Sequence, residues 1–459
     1  MKLPTSFVRQ MHALLGEEYD AFATALSEEP PVSVRLNPQK SLVDSQLRRE
    51  HPVPWCSEGW YLAERPNFTL DPSFHAGAYY VQEASSMFMG EVLRHSLDLD
   101  QPLLVLDMCA APGGKTTLLQ SVLHPDSIVV ANEVVRSRLK ALRENIEKWG
   151  HPYVAITSAA NDEWEKLGAW FDLVVVDAPC SGEGLFRKMP EALRDWSPSH
   201  VEACALRQRA ILNAAVRLLR PAGVLIYSTC TFNRAENEDN VKWLISTFDL
   251  EPILLDLPAA WGIVQTMPGT YRFFPHRLKG EGFFLAALRK SMGAPTLPPF
   301  RPPAAFRRLE PAARRQETSL RAWLEQGREW AFFVAPKGDI LAIPSAHVPF
   351  MRVLDHSLTN KWLGLRLGRF KGGDFVPDHA LALNWMLSSQ VPSVEFDREQ
   401  ALLFLKKEQF SADILLEHRG WVVARFNGLA LGWLKALPNR WNNHLPQERR
   451  IRMSLDAYL

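Results

Sequence analysis

A chain of 459 residues, 47% of them apolar, is long enough for two or three domains with separate cores. Its 52 basic residues against 51 acidic ones exclude a protein that holds nucleic acid by bulk charge, so any nucleic-acid partner must be gripped locally. No run approaches about 18 uncharged apolar residues, which excludes a membrane helix, and five cysteines without a CxxC or a Cys/His pair at ligand spacing imply free thiols, a reducing cytoplasm and no metal centre.

Met1 to Ser6 runs into a charged amphipathic pattern, so no secretory leader is expected. Phe7, Val8, Met11, Leu14, Leu15, Tyr19, Phe22 and Leu26 fall at helical spacing until Pro30 and Pro31, which predicts one amphipathic helix. Val32, Val34 and Leu36 then alternate with Ser33, Arg35 and Asn37, the period of a half-buried strand, and a small α+β module is expected over residues 1–85.

From Leu103 the pattern changes to apolar runs: Leu103 to Leu106, Ile128 to Ala131, Val154 to Ile156, Leu173 to Val176 and Val224 to Tyr227. Helical periodicity covers Arg136 to Trp149 and Val201 to Leu219, the second closed by Pro221 and Gly223. Strands alternating with helices require crossovers and a largely parallel sheet. With Phe283 to Leu288 as a last strand, residues 86–292 read as a doubly wound, Rossmann-like α/β domain. Gly293 to Arg315 holds six prolines and five arginines and predicts a stiff basic linker over 293–318. Residues 319–459 are less regular, with strand-like pieces at Trp421 to Phe426 and Leu429 to Leu434.

In an open α/β sheet, ligands bind beyond the carboxyl ends of the strands, so the residues following each apolar run carry the chemistry. After the first run, Cys109, Ala110, Ala111, Pro112, Gly113, Gly114 and Lys115 form a loop of mostly small residues that lets a ligand approach the backbone and opens a helix, whose amino terminus favours a carboxylate or phosphate. Gly114, Lys115 and Thr116 end like a P-loop, but that motif needs a glycine where Cys109 stands, which argues against an NTPase. Glu133 ends the next run about 20 residues after the glycines, the place of a ribose-hydroxyl partner, so an adenosine cofactor is expected.

Two further runs each end in a thiol: Cys180, in a turn shaped by Pro179 and Gly182 after Asp177, and Cys230 after Tyr227. Free cysteine is among the most buried residue types, and a packing role is the preferred reading for Cys56, Cys109 and Cys204, with Cys109 also lining the cofactor loop. Asn233 and Glu236 suggest a capping pair for a helix starting just after Cys230, whose amino terminus would favour a thiolate.

Tyr79 to Ser86, Asp107 to Thr116, Asp177 to Lys188, Tyr227 to Phe232 with Glu236 to Glu238, and Gly280 to Phe284 together resemble the Sun family of S-adenosylmethionine-dependent RNA cytosine-5 methyltransferases, over about residues 30 to 290. The branch acting on bacterial 16S ribosomal RNA is the most similar. There an amino-terminal RNA-binding module precedes the catalytic domain and a PUA-like region ends the chain, and Gly428 to Lys435 and Asn439 to Pro446 resemble that region. The resemblance implies a class I methyltransferase domain, S-adenosyl-L-methionine as cofactor, and a cytoplasmic monomer acting on ribosomal RNA in the 30S subunit or its precursor.

Carbon 5 of cytosine is a poor nucleophile, so such an enzyme first adds a thiolate at carbon 6. By resemblance Cys230 is that nucleophile, Cys180 releases the product, Asp177 binds the cytosine edge and Lys115 stands near both. Cys109 to Lys115, Glu133, Asn161 and Asp177 are the implied cofactor contacts, with Asp162 as the alternative to Asn161. Arg187 and Lys188, just beyond the Cys180 turn, are candidate phosphate contacts, against a solvated-face reading. Arg419 to Arg452 carries Arg425, Lys435, Arg440, Arg449 and Arg450 with Glu448 as its only acid. Trp433 and Trp441 there offer stacking surfaces, although core packing is preferred for Trp433. A base must leave its stack to reach two thiols in a crevice, which favours single-stranded or distorted RNA. Transfer RNA as substrate and an RNA-binding assembly factor with little turnover are the alternatives; both cysteines and Asp177 argue against the second.

Overall fold

The computed structural model describes residues 3–42, 47–410, 418–438 and 440–455; Met1, Lys2 and Asn439, which the sequence reading includes, lie outside the described residues. The amino-terminal apolar stripe forms two helices where one was expected. Gly16 ends α1 (Thr5–Leu15) at a φ of 57°, which costs a side chain far more than it costs glycine, and α2 (Tyr19–Ala25) follows after one tight turn. Phe7 of α1 and Phe22 of α2 meet Phe186 and Phe232 at ring-centroid distances of 5.0 and 5.1 Å. The helices therefore brace two loops of the central domain.

β1 (Ser33–Leu36), β2 (Arg49–Val53), β3 (Cys56–Leu62) and, after the short α3 (Pro72–His75), β4 (Tyr79–Val81) form an antiparallel sheet in the order β2-β3-β1-β4. The alternation expected from Val32 to Asn37 fails: Ser33 and Asn37 are buried, and so is Arg35, at 1% exposure. Its guanidinium donates to Gln82 Oε1 at 2.8 Å, Ser121 Oγ at 2.9 Å and Thr117 Oγ1 at 2.7 Å, and lies 4.5 Å from the Trp149 ring. Burial lowers its pKa to about 10. A charge enters this interior because each of the three guanidinium nitrogens finds an acceptor.

The central domain comprises α4 (Met89–Ser96), β5 (Leu104–Asp107), α5 (Gly114–Val122), β6 (Ile128–Asn132), α6 (Arg136–Trp149), β7 (Val154–Thr157), α7 (Asn161–Trp164), β8 (Phe171–Asp177), α8 (Pro190–Asp195), α9 (Pro198–Leu218), β9 (Leu219–Thr229), α10 (Glu238–Thr247), β10 (Leu250–Pro252), β11 (Thr270–Phe273) and β12 (Phe283–Lys290). β7, β6, β5, β8 and β9 lie parallel in that order, and β12 adds antiparallel to β9, flanked by β10 and β11. The chain winds outward from β5 to β7, then returns to place β8 and β9 on the other side of β5. The crevice at this reversal is the binding edge of a doubly wound sheet. Val105, Leu106, Val174, Val175, Leu225 and Ile226 are fully buried because helices cover both faces, which is why these strands read as continuous apolar runs.

The carboxyl-terminal part comprises β13 (Glu310–Pro311), α11 (Arg314–Arg321), β14 (Trp330–Val334), β15 (Asp339–Pro344), α12 (Val348–Ser357), β16 (Lys361–Trp362), β17 (Leu365–Lys371), β18 (Asp374–Pro377), α13 (His379–Leu383), β19 (Ser393–Phe396), α14 (Arg398–Lys406), β20 (Gly420–Phe426), β21 (Leu429–Leu437) and β22 (Arg440–Asn443). Two sheets result, β13-β14-β15-β17-β18 and β19-β20-β21-β22, while β16 pairs antiparallel with β7 at the edge of the central sheet. The predicted linker does not stand free. Ala169 N–H donates to Leu297 O at 3.1 Å, Phe300 N–H donates to Leu167 O at 2.8 Å, and the Phe306 ring packs 4.8 Å from Phe333. Prolines remove donors from this segment but leave carbonyls and apolar rings to dock it. The last sheet shares a core with the amino-terminal module, through Phe396, Leu402 and Phe404 with Leu70 and Tyr79.

Replacing Arg35 with alanine strands the acceptors that it satisfies, so chemical denaturation should show a loss of about 3 kcal/mol, as for other broken buried polar networks.

Candidate active site

β8 and β9 pair in parallel register with Asp177 opposite Ser228, so the loops that follow leave the sheet side by side. Glu183, fully buried, joins them. Trp196 Nε1 and Gln10 Nε2 each donate to its Oε1 at 3.0 Å, while the backbone N–H groups of Phe232 and Asn233 donate to Oε2 at 2.9 and 2.8 Å. Gly184 N–H donates to Cys230 O at 2.9 Å, and a Cβ on Gly184 would lie 2.5 Å from Gly282 O, so only glycine fits there. Glu236 completes the stitching: it accepts from Ser181 N–H at 3.0 Å and from Gln208 Nε2 and Asn233 Nδ2, each at 2.6 Å.

The result is a contact between the two sequence-predicted thiols, Cys180 Sγ and Cys230 Sγ at 3.0 Å. Cys230 N–H also points at Cys180 Sγ, 3.4 Å away. The hydrogen bond with Cys230, then burial, push the Cys180 thiol well above its ordinary value, so Cys180 keeps its proton. Beside the thiols, Lys115 Nζ lies 2.8 Å from Asp177 Oδ2, and Ser228 Oγ donates to Asp177 Oδ1 at 2.7 Å. Burial opposes the charge on Lys115, but Asp177, Asp107 and Cys230 outweigh it and raise the ammonium pKa overall. Lys115 remains a fixed cation at the strand ends.

The loop Cys109 to Gly114 runs from β5 into α5 at the chain reversal. Ala110 N–H donates to Asn132 O at 2.8 Å, and Asn145 Nδ2 donates to Pro112 O at 2.9 Å. Burial pushes the Cys109 thiol up, in line with a packing role. Asp107 is fully buried, with Thr116 Oγ1 donating to its Oδ2 at 2.7 Å; burial foremost raises its pKa to about 7. Asp107 Oδ1 and Glu133 Oε2, at the ends of neighbouring strands, are buried without a hydrogen-bond partner among the described residues, although Arg138 forms an ion pair with the second at 3.4 Å. A ligand carrying hydroxyl or amino donors would satisfy both oxygens, so these residues fit an adenosine cofactor.

Other expectations change. The helix after Cys230 begins only at Glu238, so no helix amino terminus supports that thiol. Asn233 and Glu236 do bond reciprocally, Glu236 N–H to Asn233 Oδ1 at 2.9 Å, but within a turn whose side chains are drawn toward the Cys180 loop. Asn161 opens α7 just beyond β7, half-exposed with no side-chain hydrogen bond among the described residues, and Asp162 is exposed. Asn132 bridges the neighbouring strand ends. Its Nδ2 donates to Met108 O at 3.2 Å and Ala159 O at 3.1 Å, and its Oδ1 accepts from Thr157 Oγ1 at 2.9 Å. No sequence signal marks it, since the apolar run ends at Ala131 while β6 continues to Asn132.

Arg187 is no phosphate contact: its side chain is 5% exposed, paired with Glu281 at 2.7 Å, and donates to Ala25 O at 3.1 Å and Gly280 O at 2.7 Å. Lys188 reaches the same carboxylate at 3.4 Å but keeps 31% exposure. Trp433 is core, 1% exposed with Nε1 donating to Asp378 O at 2.7 Å, and Trp441 is half-buried against Phe410 at 4.8 Å. Arg449 pairs with Glu144 and Glu147 of α6, whereas Arg440 and Arg450 are exposed.

A parallel sheet with this strand order, a small-residue loop at its reversal and an acid on the next strand define a Rossmann-like methyltransferase. Family models agree in sequence: "16S rRNA methyltransferase RsmB/F" matches residues 95–289, the "N-terminal domain of 16S rRNA methyltransferase RsmF" matches 3–84 and the "Methyltransferase RsmF PUA domain" matches 391–451. A ribosomal RNA small subunit methyltransferase F from Cronobacter sakazakii is 31% identical over 97% of this chain and 96% of its own length. Among solved structures, a methyltransferase homolog from Pyrococcus horikoshii is 29% identical with a TM-score of 0.54, covering 62% of this chain and 95% of that one. NSun6 from Pyrococcus horikoshii with SFG shares the fold at 24% identity and a TM-score of 0.53, covering 62% and 98%. The chain belongs to the RsmF family of 16S ribosomal RNA methyltransferases.

Because the folded pKa of Asp107 exceeds its ordinary 3.8, the stability it contributes is full below that value and is lost as pH rises through about 7. Asp107→Asn should therefore gain stability relative to the unsubstituted chain across that window, read as the difference in denaturation midpoint against pH.

Proposed function

We propose that the chain methylates carbon 5 of cytosine in 16S ribosomal RNA, in the 30S subunit or its precursor, as a cytoplasmic monomer using S-adenosyl-L-methionine. In this reading residues 86–292 perform the chemistry, 1–85 and 319–459 handle RNA, and 293–318 connects them along the domain surface. The contact of two thiols beside the Lys115–Asp177 pair is the observation that carries it. Such a pair at a doubly wound strand edge suits a reaction that first forms and then breaks a carbon–sulfur bond.

When bound, the cofactor supplies an electrophilic methyl group. Asp107 and Glu133 would accept from its amino and hydroxyl groups, and the Cys109 to Gly114 loop would let it approach the backbone. Asp177 has carboxylate lone pairs beyond those used by Lys115 and Ser228, and these accept from the cytosine edge and stabilise the protonated ring. Cys230 adds through its thiolate to carbon 6, which gives carbon 5 the electron density of an enamine.

Product release needs a base for the carbon 5 proton. Cys180 is held protonated mainly by its hydrogen bond with Cys230, and that bond weakens once Cys230 has become a thioether, a poor acceptor. Cys180, which is half-exposed, can then give its own proton to solvent and take the one on carbon 5. The C–H electron pair restores the ring double bond, and the carbon 6–sulfur bond breaks to return the Cys230 thiolate.

With 30S subunits lacking the modification and methyl-labelled cofactor, the unsubstituted chain should label 16S ribosomal RNA. Cys230→Ser should abolish labelling, and Cys180→Ser should accumulate a protein–RNA adduct that survives denaturing gels. No label in RNA under these conditions refutes the activity, and an adduct formed by Cys230→Ser but not by Cys180→Ser reverses the two roles.

A further inference from the structure

A cavity of about 660 Å³ lies away from the thiols, between the carboxyl-terminal half of α6, the β7–β16 edge and strands β15 and β17. It shares no residue with the catalytic strand ends. Its lining carries six cationic side chains against three carboxylates. The carboxylates are engaged: Asp355 with Lys361 at 3.1 Å, Asp339 with Arg369 at 2.8 Å, and Glu147 with Arg143 at 3.5 Å and with Arg449. Arg366 is bound to Asp378. Arg308 and Lys337 remain, both exposed and with no hydrogen bond or ion pair among the described residues.

The same lining holds an aromatic surface. Trp362 of β16 is 40% exposed, an unusual state for an indole, with the Arg143 guanidinium 5.4 Å from its ring centroid. A small inorganic anion would need the cations but not the indole. A flat base on Trp362 with phosphates reaching Arg308 and Lys337 uses both features, and the volume falls within the range of pockets that bury an organic ligand, about 300–1,000 Å³. The chain carries a formal net charge of only +1, so RNA cannot be held by its overall field and must be held at such local points.

We propose that this cavity is a second RNA subsite, which takes an unstacked nucleotide of the substrate remote from the reacting cytosine. The assignment rests on the RNA substrate proposed above. The basic segment from Gly293 to Arg315 takes a definite role in it, since it brings Arg308 to the cavity.

Binding of the full chain to a short mixed-sequence single-stranded RNA containing 4-thiouridine, followed by photo-crosslinking and peptide mass spectrometry, tests the proposal. A crosslink on the Trp362 peptide is expected. Trp362→Ala should weaken binding about tenfold, the scale of one lost base–aromatic stack. Arg308→Glu with Lys337→Glu should lower affinity and reduce the slope of log affinity against log salt by about 1.4, from two lost phosphate contacts. Both residues are exposed, so melting and cofactor binding should match the unsubstituted chain and separate a lost subsite from a lost fold. RNA affinity equal in all variants, or crosslinks confined to other peptides, overturns the subsite alone. An unsubstituted chain that binds no RNA overturns the subsite together with the proposed function, and binding of a free mononucleotide without RNA identifies a small-molecule site instead.

Discussion

One buried carboxylate fixes the geometry on which the site depends. Glu183 receives four hydrogen bonds from three separate parts of the chain: helix α1, Trp196 ahead of α9, and the backbone just after Cys230. It sits three residues beyond Cys180, so satisfying it draws the Cys180 and Cys230 loops together. A buried carboxylate left short of donors costs far more than an ordinary hydrogen bond returns, so this arrangement is close to all-or-none. The thiol contact follows from it, and the inequality of the two thiols follows from the contact.

The same logic extends outward. Asn132 ties the ends of β5, β6 and β7, and Arg35 ties the amino-terminal sheet to α5, the helix that begins with the small-residue loop. From the other side the carboxyl-terminal part clamps the loop beyond β7: Ser158 N–H donates to Asn360 O and Thr359 N–H donates to Glu163 Oε2, each at 2.9 Å. The flanking parts are thus part of the frame of the site. They hold strand ends in place through buried or half-buried polar groups, while the apolar sheet core supplies the rest.

The parallel strands were legible because helices cover both sheet faces, leaving runs such as Leu173 to Val176 without a polar interruption. The thiols, Asp177 and Glu133 stood out because they lie within four residues of the ends of those runs, whereas Lys115 beside Asp177 was implied only by the family resemblance. Tertiary partners governed what was missed. Arg35 occupied the phase of a solvated strand face and gave no local sign of acceptors on a helix more than 80 residues away. Arg187 looked like half of a basic pair at a substrate edge, yet Glu281 and two carbonyls consume it. Gly16 interrupted an apolar stripe that continues on both sides, so periodicity alone ran through the break. Proline and arginine content suggested a free linker, but Phe300 and Phe306 found docking sites that composition could not show.

In the proposed reaction Cys230 carries the base and Cys180 frees it. The RNA adduct trapped by Cys180→Ser, digested and mapped by mass spectrometry, distinguishes the two thiols. A cytidine nucleotide attached to the peptide containing Cys230 is expected. Attachment at any other residue would contradict these roles.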